Sequence, residues 1–432
     1  MVRLYGLLAV VIAIVGSSRE RPPGHMVLRQ GWREAASGFS AGAVSADGRQ
    51  IAFVSAEHLL PVDTNAVNDI YILDRESRRL TLATVAYSGG ASDGTALNPQ
   101  LNADGRYLAF DSAATDLTAT PDRNEEVDVF VRDGITGITS RVSVGPAGVD
   151  ANGRSANPAI SADGRRVVFQ SSATNLVPGT DANGTRPDVY LADLTTGAVT
   201  RIGADASGRQ FARAFSPRIS GNGRYVALVA LPSQSAAAPG QTDAAAMSRV
   251  YVHDLTAGAT VCVSCDRLPG GARLAAFAPD LDAEGRLVAF VIQSNRTRFD
   301  IALYDRASMT TTVITRRANA WSAGPRLSGD GRVIAFESWA SNLLCTGTCR
   351  DTDIDENLLP DVYLFDRTTG HFRRASGADR AWWNPSIGRG IDGTGRVVIF
   401  SSRVQSGGPD GGLRFVRLFA GVFVNRATGK PS

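Results

Sequence analysis

One phrase recurs along the chain and leaves little choice of architecture. Ser45-Ala46-Asp47-Gly48-Arg49 leads into Ile51-Ala52-Phe53, Asn102-Ala103-Asp104-Gly105-Arg106 into Leu108-Ala109-Phe110, and Ser161-Ala162-Asp163-Gly164-Arg165 into Val167-Val168-Phe169. Looser copies stand at Gly223-Arg224, Gly285-Arg286, Gly331-Arg332 and Gly395-Arg396, so the seven turn glycines are spaced by 57, 59, 59, 62, 46 and 64 residues. A second phrase lies between them: Asp69-Ile70-Tyr71-Ile72-Leu73-Asp74, then residues 128–133, 188–193, 249–254, 300–305, 361–366 and, more loosely, 420–425.

Each unit reads as four short strands, a to d. Asp-Gly and Asn-Gly are strong hairpin signals because both turn residues must tolerate positive φ. They join strand a to strand b. Strand c carries the aspartate–aromatic phrase. A turn such as Asp193-Leu194-Thr195-Thr196-Gly197 leads to strand d, Val199-Thr200-Arg201-Ile202. Strands b and c are apolar at successive positions, which predicts cover on both faces. No unit contains a helical pattern. The expected fold is all-β: a seven-bladed β-propeller of four-stranded antiparallel blades, starting near residues 38, 95, 154, 213, 275, 321 and 382. The last unit leaves no room for a strand d. Residues 27–30, upstream of the first unit, stand where a strand d would precede a strand a, and are expected to close the ring inside the last blade.

The phrase Ser-Ala-Asp-Gly-Arg followed by Asp-Val-Tyr-x-x-Asp and Thr-Gly resembles the TolB-like (WD-type) propeller repeat of bacterial envelope and secreted proteins. The stretch Ser172-Ala173-Thr174-Asn175-Leu176-Val177-Pro178 and Asp181-Ala182-Asn183-Gly184 resembles a secreted branch of that group. The likeness covers the chain from about residue 38 onward. TolB has six blades and a separate N-terminal α/β domain without counterpart here. The resemblance implies fold much more than activity.

Residues 1–18 have the three parts of a signal peptide: Arg3, an uncharged run over residues 4–16, and the small residues Gly16, Ser17 and Ser18. That run is too short for a membrane span, which needs about 20 apolar residues. Residues 19–432 are then expected to form one propeller domain, periplasmic or secreted from a bacterium. The net charge of +3 gives no reason to expect nucleic acid as a partner. A monomer without a stable membrane span is expected. Four cysteines suit an oxidising compartment. Cys262/Cys265 and Cys345/Cys349 form two close pairs, read as two local disulfides in preference to one four-cysteine zinc site.

The b–c and d–a connections are long and varied, and share one face of the ring. Function sits most readily on variable loops held by a rigid scaffold. Candidate ligand-binding residues on that face are Trp321, Trp382 and Trp383, with Asn98, Asn157 and Asn384, each before a proline at the entry to an inner strand. No catalytic residue is assigned. Gly90-Ala91-Ser92-Asp93-Gly94 matches a nucleophile-elbow pattern but lies in a loop and not on a strand-to-helix turn. No two histidines stand at metal-ligand spacing. The reading is a non-catalytic scaffold for a protein, peptide or glycan. The alternative is a carbohydrate-active propeller hydrolase or lyase with an acidic central site.

Four b–c loops carry an acidic phrase before strand c: Asp63, Asn65 and Asp69; Asp122, Asn124 and Asp128; Asp181, Asn183 and Asp188; Asp351, Asp353, Asp355 and Asp361. Alternating Asp and Asn can present hard oxygen ligands to Ca2+. The same residues also serve as Asx turns. Calcium is the one cofactor these loops suggest.

Overall fold

The structure, a computed structural model, describes residues 12–14, 25–28, 40–232, 247–265, 275–295, 298–345, 360–376, 382–386, 390–405 and 414–422. It contains six four-stranded antiparallel blades, each with its strands in the order a-b-c-d. Blade one is Ser40–Val44, Gln50–Ser55, Asp69–Asp74 and Arg79–Leu82. Blade two is Ala96–Leu101, Tyr107–Ser112, Asp128–Asp133 and Thr139–Arg141. Blade three is Ser155–Ile160, Arg166–Ser171, Asp188–Asp193 and Ala198–Arg201. Blade four is Arg213–Ile219, Tyr225–Leu231, Arg249–Asp254 and Ala259–Cys262. Blade five is Ala276–Leu281, Leu287–Asn295, Arg298–Asp305 and Thr310–Val313. Blade six is Ser322–Leu327, Val333–Ser338, Asp361–Asp366 and His371–Arg374.

The expectation of seven four-stranded blades is therefore corrected to six. The last repeat builds a different, five-stranded sheet. It supplies Trp382–Ser386, Val397–Gln405 and Arg414–Val422. Two N-terminal strands complete it: His25–Leu28 pairs antiparallel with Arg414–Val422, and Ile12–Ile14 pairs with His25–Leu28. The pairing strand begins two residues earlier than the 27–30 segment read from the sequence. The added fifth strand comes from the β-branched run Val10-Val11-Ile12-Ala13-Ile14-Val15, a composition that suits a strand.

Strand a is innermost, because the first strands of successive blades touch one another. The a–b turns are also joined directly. Ala46 donates its N–H to the Ala103 carbonyl, Ala103 to Ala162, Ala162 to Gly221, Asn222 to Ala283, Ala283 to Gly329, Asp330 to Gly393 and Gly393 back to Ala46, all at 2.8–3.1 Å. This circuit links the six blades and the five-stranded sheet into a closed ring. At Gly164 the turn has φ +73°, and an added Cβ would stand 2.4 Å from the Tyr107 ring of the preceding blade. Only glycine meets both the turn and the packing demand there.

The apolar b and c strands supply the core as interleaved layers between neighbouring blades. Ala109, Val129 and Val131 of blade two pack against Val167, Phe169 and Tyr190 of blade three. Ile51, Phe53 and Tyr71 of blade one pack against Val397 and Ile399 of the five-stranded sheet. Phe53/Tyr71, Phe110/Phe130 and Phe169/Tyr190 stack across strands b and c with ring centroids 5.8 Å apart. Burying each such ring contributes about 2–3 kcal/mol.

Candidate functional site

The two repeated phrases lock into one another. In the first turn the Ser45 hydroxyl donates to Asp47 Oδ1 at 2.5 Å and accepts the Gln50 N–H at 2.9 Å. Arg106 then forks onto Asp133, the last residue of the second phrase, at 2.7 and 3.1 Å. Arg224–Asp254, Arg286–Asp305 and Arg332–Asp366 repeat it, with Nη2–Oδ2 distances of 2.8, 2.7 and 2.8 Å. These residues staple strand b to strand c on the short-turn face and are structural. Arg106 holds the Asp133 carboxyl down at about 2, and Arg224 does the same for Asp254. A carboxyl lowered on folding contributes stability above its unfolded value, near pH 4, and loses it as pH falls to about 2. Arg106→Ala with Arg224→Ala is expected to flatten the fall of Tm between about pH 4.5 and about pH 2. Parallel acid limbs for variant and wild type would contradict this.

The inner strands carry a second recurrent device. Asn98 (φ 52°), Asn157 (55°), Ser216 (52°), Ala278 (52°) and Gly324 (59°) occupy left-handed conformations at β-bulges, each just before a proline. Both described asparagines converge on one buried carboxylate: Asn98 Nδ2 donates to Asp111 Oδ2 at 2.9 Å, and the Asn157 N–H to the same atom at 2.8 Å. Asp111 thus ties blade two to blade three. Asp280 does likewise between blades four, five and six, 3.8 Å from the Arg218 guanidinium and accepting the Leu327 N–H at 2.8 Å. Asp111, Arg218 and Asp280 are thus engaged in holding inner strands together.

On the long-loop face a row of aromatic rings crosses from blade five to blade six. Phe277 meets Phe299 (centroids 5.5 Å), Phe299 meets Trp321 (5.9 Å), and Trp321 meets Trp339 (5.5 Å). All four lie at or just beyond the strand ends that carry the b–c and d–a loops. Trp321 is 49% exposed. The sequence reading singled out Trp321 but missed Phe299 and Trp339, which stand among polar residues at the b–c ends of their strands. Trp382, Trp383 and Asn384 lie on the first strand of the five-stranded sheet, with Trp383 opposite Arg403. A cleft of about 650 Å³ opens between blades five and six, its lining including Arg317, Asn342, Cys345 and His371.

The acidic loops differ from one another. In blade two Arg141 Nη1 lies 2.5 Å from Asp122 and 3.4 Å from Asp128, while Nη2 contacts Asp150. Asn124 Nδ2 donates to Asp128 at 3.0 Å. In blade three Arg201 lies 3.2 Å from Asp181 and 3.6 Å from Asp188, Gln210 donates to both at 2.7 and 2.6 Å, and Asn183 donates to Asp188 at 3.0 Å. In blade six Arg374 lies 3.4 Å from Asp361. Burial pushes the Asp128 and Asp188 carboxyls up to about 6 against the pull of these partners. Asp351, Asp353 and Asp355 lie outside the described residues. In blade one no arginine among the described residues approaches: Asp63 Oδ2 accepts from the Tyr71 hydroxyl, Asp69 Oδ1 from the Thr84 hydroxyl, and Asn65 Nδ2 donates to the Ser92 carbonyl at 2.9 Å. Among the described residues no three His, Cys, Asp or Glu side chains converge as a metal site. The arginines were legible as Arg141, Arg201 and Arg374 at the same place in three d strands, a recurrence the sequence reading passed over.

Cys262 and Cys265 form a disulfide with Cα atoms 5.6 Å apart, and Cys345 is also disulfide-bonded. Cys349 lies outside the described residues. Among the described residues no helix is long and apolar enough to cross a membrane.

No protein-family model and no curated protein matches the chain. Solved structures do. An oligogalacturonate lyase in complex with manganese aligns at 14% identity over 90% of this chain and 91% of its own, with a TM-score of 0.53. An acylaminoacyl peptidase from Pyrococcus horikoshii aligns at 14% identity over 88% of this chain and 51% of its own, with a TM-score of 0.53. TolB from Acinetobacter baumannii aligns at 16% identity over 76% of this chain, which spans 63% of TolB's length, with a TM-score of 0.44. What the chain shares with these structures is its fold, and the chain is a β-propeller.

Proposed function

We propose that this chain is an extracytoplasmic binding scaffold that holds an extended protein, peptide or glycan on its long-loop face. The observation that carries the reading is the aromatic row Phe277–Phe299–Trp321–Trp339 with Trp321 half in solvent. A partly exposed ring held edge-on by its neighbours offers a large contact at low entropic cost. The Cys262–Cys265 disulfide suits a periplasmic or secreted location. Trp321→Ala with Trp339→Ala is expected to weaken binding at least about tenfold, the loss of a hot-spot aromatic, with an unchanged far-ultraviolet spectrum. Tryptophan-fluorescence titration against an oligosaccharide panel and a random peptide library measures this. Equal affinities for variant and wild type would remove the row from the binding surface.

A carbohydrate lyase or hydrolase is the second reading, favoured by the carboxylates Asp111 and Asp280 and by Arg218 near the axis. The hydrogen bonds Asp111 and Asp280 accept from neighbouring inner strands, and the Arg218–Asp280 pair, favour a structural role instead. Release of unsaturated uronate from oligogalacturonate, followed by ultraviolet absorbance, would restore the enzymatic reading.

A further inference from the structure

Blade one differs from its sisters at two matched positions. Leu82 sits opposite Tyr71 in the d strand, where Arg141 sits opposite Phe130 in blade two and Arg201 opposite Tyr190 in blade three. Ala91 bridges Val85 where Asp150 bridges Val144 and Gln210 bridges Ala204. The guanidinium that lodges between the two acidic positions, and the polar side chain beside it, are both replaced by apolar groups. The acids themselves remain. Asp63 is 3% exposed and Asp69 is fully buried. Each has one carboxylate oxygen held by a hydroxyl, and the other, Asp63 Oδ1 and Asp69 Oδ2, is buried with no hydrogen-bond partner. The buried Ser92 hydroxyl, on the residue whose carbonyl holds Asn65, is likewise unpartnered. Asp122 Oδ2 is also unpartnered, but its sister oxygen holds Arg141.

Two buried carboxylates with no guanidinium between them, and only the exposed His58 ring as a nearby base, cost several kcal/mol. The sister blades show where the compensating charge belongs. We propose that the b–c loop of blade one holds a hard divalent cation, Ca2+, between Asp63 and Asp69, in the place the arginine guanidinium takes in blades two and three. The donors are all oxygen: two carboxylates, the Ser92 hydroxyl and water. Ca2+ accepts such a mixed shell of 6–8 oxygens, whereas zinc and copper favour nitrogen and sulfur. A charge of +2 also balances the two carboxylates that Leu82 leaves uncompensated. The loop acts as a metal-dependent clasp on strand c of blade one, one of the two blades that adjoin the five-stranded sheet.

The experiment uses the full chain stripped with chelator, with Ca2+ as the probe. Titration calorimetry is expected to find one tight site, and saturating Ca2+ to raise Tm by about 3 °C. Tb3+ should bind the same site, with luminescence sensitised through Tyr71 and lost in Tyr71→Phe. Asp63→Asn with Asp69→Asn should abolish the Ca2+ response, while Asp122→Asn leaves it intact. Leu82→Arg transplants the sister blades' solution. It should raise the Tm of the metal-free protein and remove the Ca2+ response together. If Leu82→Arg does not fold, the Asp63/Asp69 variant alone decides. A stripped protein whose Tm ignores Ca2+ would overturn the proposal and mean that one carboxylate carries a proton. A response that survives Asp63→Asn with Asp69→Asn would overturn it equally, placing the ion in another loop.

Discussion

Replacing Arg141 by methionine is expected to destabilise the protein by about 3–5 kcal/mol, the cost of removing one partner from a buried ion cluster. The side chain is only 7% exposed, and its guanidinium spans Asp122, Asp128 and Asp150, of which the first two are buried. Methionine fills similar volume, so the loss measures charge and hydrogen bonding more than a cavity. The carboxylates left behind make the effect large. Adding Asp122→Asn and Asp128→Asn in the same chain should recover most of it, and urea denaturation of the three proteins reads the difference. Arg49→Met is the control. Its guanidinium also grips a carboxylate, Asp74 at 2.8 Å, but its side chain is 47% exposed. An exposed, solvent-screened pair of that kind contributes little. Equal losses for the two arginines would show that burial does not govern these networks.

Deleting residues 25–31 is expected to lower Tm by on the order of 10 °C and to promote association. His25–Leu28 pairs residue by residue with Leu418 to Gly421 of the last sheet. Without it, Arg414–Val422 becomes a long bare edge, and the covalent start of the chain no longer ties down its end. The a–b turn circuit remains, so the blades should keep their strands while the ring loses its clasp. Size-exclusion chromatography and thermal unfolding together test this. An unchanged melting curve, with the deletion protein eluting as the full chain does, would show that the circuit alone closes the ring.

Local chemistry made much of the fold legible. Asp-Gly turns require positive φ, and Gly48, Gly105 and Gly164 adopt it at 73°, 75° and 73°. Apolar b and c strands require two-sided cover, and they have it. Repetition turned each weak local signal into a strong one. The blade count failed at the last unit because that unit builds a five-stranded sheet, with Ile12–Ile14 added outside the N-terminal strand that the sequence did suggest. Which segment covers a sheet edge is a matter of tertiary pairing, and no local propensity reports on it. The acidic loops, too, are told apart by contacts outside their own phrases. Asp63, Asp122 and Asp181 stand in matching phrases. Tertiary structure separates them by placing arginine beside two and leucine beside the third, from a strand 19 or 20 residues downstream. The sequence by itself determined the repeat, the turns, the strands and the two-sided burial, since these depend on backbone conformation and hydrophobicity within a few residues. Only the tertiary structure decided the fifth strand of the closing sheet, the aromatic row and the pairing of the buried carboxylates, because each is a meeting of side chains or strand edges from different blades or distant strands.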